Sequence, residues 1–386
     1  MSLAATTTDL AATTLRERAE PAVSTVRIPE LDGLRGLMTI FVVVSHYFGE
    51  VPHGIGPLCV GWVAVNVFFV LSGYLVGRLI IEKKAAANFL PVFYIRRLCR
   101  TVPTYLLCCA LVLLGIAALG QTSWARGGDP LPAWTYFAFV QNVYFIVESS
   151  TGVRWLSPTW TLALEEQFYL VAPLVFLVLP RRFWLPALGL LAGLGFAGRA
   201  YGITHGLVAY APLALLPTSG DVLCMGLLLA VLVKEERIAW ARWSLPLRVL
   251  PIVLLFATFG VQRLDAEPGG PWFQVFGPLL MAGASAAFIL MLVKGAPEAQ
   301  RFKSPLLRFF GEISYSVYLT HLAVLGLLHG CFFGREPQLG SVSTVAATLL
   351  AIPATIAIAW LLTSLVERPL TAWGRGFRWR EDSPPA

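Results

Sequence analysis

The sequence predicts an all-α protein: a polytopic membrane bundle of about ten transmembrane helices, with both termini in the cytoplasm. Three observations predict it. Hydrophobic residues fill 57% of the 386 positions and charged residues only 13%, against roughly 25% charged in a soluble domain. Mean hydropathy is correspondingly high, +0.71. The apolar residues fall in runs of about 20, enough to cross a hydrocarbon core of ~30 Å, and short basic clusters separate the runs. This composition excludes disorder, a collagen-like repeat and a secreted disulfide scaffold, and argues against a soluble enzyme. The net charge of +7 does not imply nucleic acid as a partner, because the basic residues form no single patch.

Residues 1–30 lack the apolar core of a signal peptide and are rich in Ala and Thr, as expected of a disordered cytoplasmic tail. A membrane domain over 31–370 follows, then a basic cytoplasmic tail at 371–386. Spans are expected near 34–51, 58–81, 101–120, 159–180, 183–200, 213–233, 246–262, 271–293, 313–333 and 340–365. The stretch 134–147 (AWTYFAFVQNVYFI) is short and aromatic and holds Gln141 and Asn142, so it is either an eleventh span or an interfacial helix. Charge decides between them. With ten crossings, 24 of the 29 basic residues face the cytoplasm; an eleventh would reverse every later loop and spoil the positive-inside bias. No 20–50-residue repeat and no inverted halves are evident. The six Cys form no CxxC pair or metal spacing and read as small hydrophobes.

Ionisable residues within spans cost about 2.5–3.5 kcal/mol each at a helix centre, so they mark function by default. The first span, LDGLRGLMTIFVVVSHYFG, carries Arg35 at its cytoplasmic end and His46 toward the other. Eleven steps of ~100° return to nearly the same face, roughly 16 Å farther along the axis. One face thus joins a permanent cation, suited to phosphate, to a titratable base. The blander alternative makes Arg35 an orientation anchor and His46 an interhelical hydrogen-bond donor. In WLSPTWTLALEEQFYL, Glu165 and Glu166 point about 100° apart, and Glu165 shares a stripe with Tyr169 at i, i+4. In ISYSVYLTH, Ser314, Tyr318 and His321 make one polar face on an apolar helix, either a site or helix–helix glue. Ser72-Gly73 permits a close backbone approach, a kink or a ligand. FLPVFYIRRLCRTVPTYL reads as a loop whose arginines suit lipid headgroups or a nucleotide phosphate equally. His53, His205 and His329 receive no role.

These stretches together resemble acyltransferase family 3, the integral-membrane O-acyltransferases. LDGLRGLMTIFVVVSH, NVFFVLSGYLVGRLI, FYIRRLCRTVPTY, WTLALEEQFYL and ISYSVYLTH occur in the family's order, over about 31–370. The resemblance implies transfer of an acyl group, by family habit acetyl, from cytoplasmic acyl-coenzyme A to a hydroxyl of a sugar or glycoside at the outer face of the cell membrane. The family's Arg-(ten residues)-His motif falls on Arg35 and His46, and its second-loop arginines on Arg96, Arg97 and Arg100. Its remaining patterns fall on Trp160, Glu165, Phe168 and Tyr169, and on Ser314, Tyr315, Tyr318 and His321.

On this basis Arg35 and the Arg96–Arg100 loop are expected to hold the donor phosphates, with Ser72 and Tyr318 beside the acyl-bearing arm or its oxyanion. His46 is the expected general base, assisted by Glu165, which either orients it or binds the acceptor. Trp160, Tyr169 and His321 are expected at the acceptor. No metal and no permanently bound cofactor is expected; acyl-CoA is a co-substrate. Two competing classes are a glycan or small-molecule transporter or flippase, recognised by movement without acyl transfer, and a non-catalytic subunit, recognised by indifference to changes at Arg35 and His46.

Overall fold

The computed structural model describes residues 27–120, 122–206, 211–267 and 269–380. Among them there is no strand, and nine helices are long and apolar enough to cross a membrane. The chain is a multi-pass membrane protein. Most of the expected tail at 1–30 lies outside the described residues.

Helix α1 (Pro29–Val44) begins with Pro at its first position, where the missing N–H costs nothing. It runs without a break into a π turn at Ser45–Gly49, which carries His46; single π turns of this kind recur at functional sites. From Pro29 to Gly49 the element is about 30 Å long at 1.5 Å per residue, but it is not among the nine helices that meet both length and apolarity, so nine of the ten expected spans are found among the described residues. α2 (Gly61–Lys83) follows.

α3 spans Phe89–Ala118. It corrects the expected loop: FLPVFYIRRLCR is the first part of a helix, not a connection. The physical reason is local. Leu and Arg are strong helix formers, and Pro91 sits in the first turn, where proline is tolerated. The three arginines therefore have fixed angular positions.

The stretch 133–147 is two short helices, Ala133–Phe137 and Gln141–Val147, joined where Phe139 adopts φ 56°. Neither is long enough to cross. Its amides are spent internally: Gln141 donates to the Tyr105 hydroxyl and the Thr159 carbonyl, while Asn142 and Gln167 form a reciprocal pair at 3.2 and 3.0 Å.

The remaining long helices are α4 (Trp160–Val178), α5 (Trp184–Thr204), α6 (Leu216–Lys234), α7 (Trp240–Gln262), α8 (Pro271–Val293), α9 (Pro305–Phe333) and α10 (Val342–Leu362). α10 continues through a π turn at Thr363–Glu367 into α11 (Arg368–Arg375). The expected tail from 371 is thus helical at first. Beyond α11, residues 376–380 pack on the start of α3, where Ala87 donates to the Arg380 carbonyl and Arg380 to Asn88.

The most buried helices, α2, α6, α8 and α9, form the centre, whereas α7 is almost wholly exposed. Backbones touch at two seams. At α1–α9, a Cβ on Gly36 would lie 1.9 Å from the Leu307 carbonyl oxygen, and one on Gly311 would lie 2.1 Å from that of Asp32. At α2–α6, Gly73 and Gly226 meet in the same way, so close approach is the role of the Ser72-Gly73 pair. Gly36→Ala should therefore destabilise the fold, by about 1–3 kcal/mol or more for overpacking that only a backbone shift relieves. A lowered thermal midpoint in detergent would show it; an unchanged one would refute the contact.

A buried ion pair ties three of these helices together. Arg199 on α5 and Asp221 on α6, both fully buried, meet through two bonds of 2.8 and 2.7 Å. The same guanidinium donates to the Thr218 and Val275 carbonyls, so three helices are tied and no charge is left unpaired.

Candidate active site

α1 and α9 lie side by side, and the glycine seam sets their register. Arg35 donates to the Ser314 hydroxyl at 2.8 Å. Eleven residues on, His46 Nδ1 lies 2.7 Å from His321 Nε2. The shared face of Arg35 and His46 is thus matched by the Ser314–His321 face of α9.

The rings' protonation follows from their partners. His321 Nδ1 faces two carbonyl oxygens, Tyr318 at 2.8 Å and Val317 at 3.0 Å. Carbonyls only accept, so Nδ1 carries the proton. In a neutral ring Nε2 is then an acceptor, and His46 Nδ1–H must donate to it. His46 Nε2 is left with its lone pair free. Tyr47 steadies the pair from below, donating its hydroxyl to the His321 carbonyl at 2.9 Å.

Sequence reasoning expected Glu165 to orient His46 or bind the acceptor. The structure gives the orienting bond to His321 instead. Glu165 accepts from the Tyr169 hydroxyl at 3.2 Å, and Tyr169 also meets the Ser72 hydroxyl at 2.6 Å. Glu166, about 100° around the helix, accepts from Thr101 at 2.7 Å. His321, expected at the acceptor, is only 1% exposed and spends both nitrogens internally, so it positions His46.

Arg35 opens onto a cavity of about 110 Å³ between α1, α2, α3, α4 and α9. Arg97 and Arg100 line it from α3, Ser72 from α2, Glu165 and Tyr169 from α4, and Ser314 and Tyr318 from α9. Three guanidiniums and one carboxylate line it, while Glu166 and Glu367 lie within electrostatic reach of the same arginines; converging guanidiniums in a partly desolvated space can grip an anion in bidentate fashion. Arg97 also lies 4.9 Å over the Tyr169 ring. Tyr169, expected at the acceptor, belongs to this arginine-lined cavity. Trp160 does not line it; its ring packs edge-on against Phe69, with centroids 6.1 Å apart.

The expected trio of phosphate-binding arginines divides in two. Arg97 and Arg100 point inward with Thr101, at i, i+3, i+4. Arg96 turns away and donates to the Phe377 carbonyl at 2.6 and 3.0 Å, with the Trp379 ring 4.8 Å from its guanidinium. It fastens the C-terminal segment to α3.

Tyr318 links the cavity to the histidines. It lines the cavity, its ring centroid is 5.9 Å from that of His321, and its hydroxyl bonds Thr161 at 2.7 Å and the Pro158 carbonyl at 2.8 Å. As an oxyanion donor it would first have to release these partners. Sequence reading missed Ser45 and Glu50. Ser45 is fully buried, accepts from the Gly61 N–H at 2.9 Å and donates to Glu50 at 2.6 Å.

The fold and site define a class: a polytopic helical membrane protein with an arginine-lined cavity at one end of a helix face and a hydrogen-bonded pair of histidines farther along it. The chain belongs to the acyltransferase 3 family, whose sequence profile, described as an acyltransferase domain, matches residues 28–364. A Staphylococcus aureus (strain COL) protein named "Putative O-acetyltransferase" is 26% identical over 388 residues, covering 93% of this chain and 60% of the relative. The peptidoglycan O-acetyltransferase of Listeria monocytogenes is 27% identical over 373 residues, covering 89% of this chain and 56% of the relative. An O-acetyltransferase of Staphylococcus aureus is 31% identical over 176 residues, 43% of this chain and 28% of the relative. The chain therefore spans about 60% of the length of the first of these relatives. No solved structure matches.

Proposed function

We propose that this membrane acyltransferase is an O-acetyltransferase of the cell membrane. It would take an acetyl group from cytoplasmic acetyl-coenzyme A to a hydroxyl of a sugar-containing acceptor at the outer face. The observation that carries this reading is the continuity of one helix face. Three arginines converge at one end, and a histidine with a free Nε2 lone pair stands about 16 Å away along α1 at 1.5 Å per residue. A pantetheine arm has about that reach. The relatives' names support acetyl as the acyl group, and one names peptidoglycan as its acceptor.

In this reading the phosphates lie against Arg35, Arg97 and Arg100, and the thioester passes Tyr318 to reach His46. The acceptor O–H bond breaks, and its proton goes to His46 Nε2. The oxygen pair forms a C–O bond to the thioester carbon. The tetrahedral intermediate collapses with cleavage of the C–S bond, and the departing sulfur takes the proton back from Nε2. His321 holds the ring in the productive tautomer throughout, as a third group does for other catalytic bases.

The test needs no knowledge of the acceptor: acetyl-CoA binding to the purified protein in detergent. Wild type is expected to bind saturably. Arg97→Ala should weaken binding about tenfold or more, as for loss of a charge-assisted contact. Arg96→Ala should leave the affinity within about twofold and lower the thermal midpoint instead, since Arg96 fastens the C-terminal segment. Folded wild-type protein that binds no acetyl-CoA, or that moves a glycan without acyl transfer, would overturn the reading.

A further inference from the structure

Directly after the π turn that ends α1 stands a second ionisable group, Glu50, which the scheme above leaves unused. Its carboxylate Oε2 is 3.5 Å from His46 Nε2, the nitrogen whose lone pair the His321 contacts leave free. Its other oxygen is fixed by the buried Ser45 hydroxyl at 2.6 Å, and Ser45 is fixed by the Gly61 N–H at the start of α2. Glu50 is therefore held in place on its own account. A carboxylate and an unprotonated nitrogen both only accept hydrogen bonds, so as they stand nothing binds them to each other. Two events join them: an O–H placed between them, or a proton arriving on Nε2.

We propose that Glu50 is the positioning residue for His46: its carboxylate stabilises the imidazolium formed at Nε2 and helps orient the incoming hydroxyl there. This rests on His46 being the base. A proton leaving the acceptor oxygen lands on Nε2 and becomes one half of an ion pair already assembled. Such a partner preorganises charge where charge develops, at no cost in reorganisation. Among the described residues, the surroundings of His46 offer no other anion this close. His321 stacks on it from α9, the Cys59 thiol lies near Glu50, and the charged group approaching from the turn before α4 is Arg154, a cation, itself 3.5 Å from Glu336. Glu50 is thus the anion next to the base, and it opposes the field of Arg154.

Glu50→Gln in the full-length protein separates this from a structural role. Glutamine keeps an oxygen to accept from Ser45, so it preserves the fastening and removes only the charge. Diethyl pyrocarbonate acylates unprotonated imidazole, so its rate at His46 against pH, read by peptide mass spectrometry, reports the protonation of Nε2 without any acceptor. The carboxylate favours the protonated ring. In Glu50→Gln the midpoint should therefore fall, by about one pH unit or more for a charge at this distance, while Glu50→Asp should retain much of the wild-type midpoint. Turnover, read as coenzyme A thiol released with a chitooligosaccharide acceptor, should fall tenfold or more with the acetyl-CoA KM unchanged, and its acid limb should move to lower pH. An unchanged midpoint in folded Glu50→Gln would overturn the proposal whatever the acceptor. A shifted midpoint in a protein that transfers no acetyl group would uphold the pairing and remove the reading it rests on.

Discussion

His46→Gln is expected to lower acetyl transfer by about 10²- to 10⁴-fold, the usual contribution of a positioned general base. Acetyl-CoA affinity should stay near wild type, because His46 does not line the arginine cavity. His321→Ala should give a smaller loss, since it removes the orienting acceptor 2.7 Å from Nδ1 but leaves the base. The measurement is single-turnover transfer with saturating donor, wild type and variants side by side. Wild-type turnover in His46→Gln would sink the mechanism. An acetyl group trapped on His46 in wild type would show instead that Nε2 is the nucleophile of a two-step transfer.

Arg35→Ala is expected to produce the largest loss at the other end of the face. Arg35 bridges the two halves of the site: it bonds Ser314 at 2.8 Å and lines the cavity with Arg97 and Arg100. Its removal should weaken acetyl-CoA binding by about tenfold to a hundredfold, the range for a hydrogen bond to a charged partner. Loss of binding should exceed loss of single-turnover rate at saturating donor. Arg35→Lys should recover only part, because an ammonium lacks the planar fork that grips phosphate in bidentate fashion. Titration of acetyl-CoA by calorimetry or tryptophan quenching checks both variants. A variant that binds normally but fails to turn over would assign Arg35 to the chemistry rather than to the donor.

Ser314→Ala separates these effects. It removes the Arg35 partner without touching a charge, and an Ala at the α1–α9 seam adds no bulk. A several-fold loss in donor affinity is expected, read in the same titration, with the thermal midpoint close to wild type.

Much of this was legible because helical order is local. A run of about 20 apolar residues has to become a spanning helix, since lipid offers its backbone no other partners. Within a helix the angle between Arg35 and His46 follows from counting, and so do the shared stripe of Glu165 with Tyr169 and the polar face of Ser314 and His321. The stretch 134–147, which reads from sequence as either an eleventh span or an interfacial helix, forms two helices too short to cross.

What stayed hidden depended on partners far along the chain. Composition could not show that the Arg96–Arg100 stretch is helical, because a basic aromatic run reads equally as an interfacial loop. Nor could it send Arg97 and Arg100 into a cavity and Arg96 to Phe377, 281 residues away. Which of two adjacent glutamates faces the site is a fact about α3, not about α4. The Arg199–Asp221 pair, too, forms only because the fold brings α6 beside α5.

The sequence by itself determined the helices, their apolar faces and the face joining Arg35 to His46, because each rests on contacts within a few residues. Only the tertiary structure decided what surrounds His46. It set α9 against α1 at a glycine seam, so that two carbonyls fix the His321 proton, His321 fixes His46, and the lone pair is left facing Glu50. Hydrogen-bond direction between helices is a property of their register, and no single helix contains it.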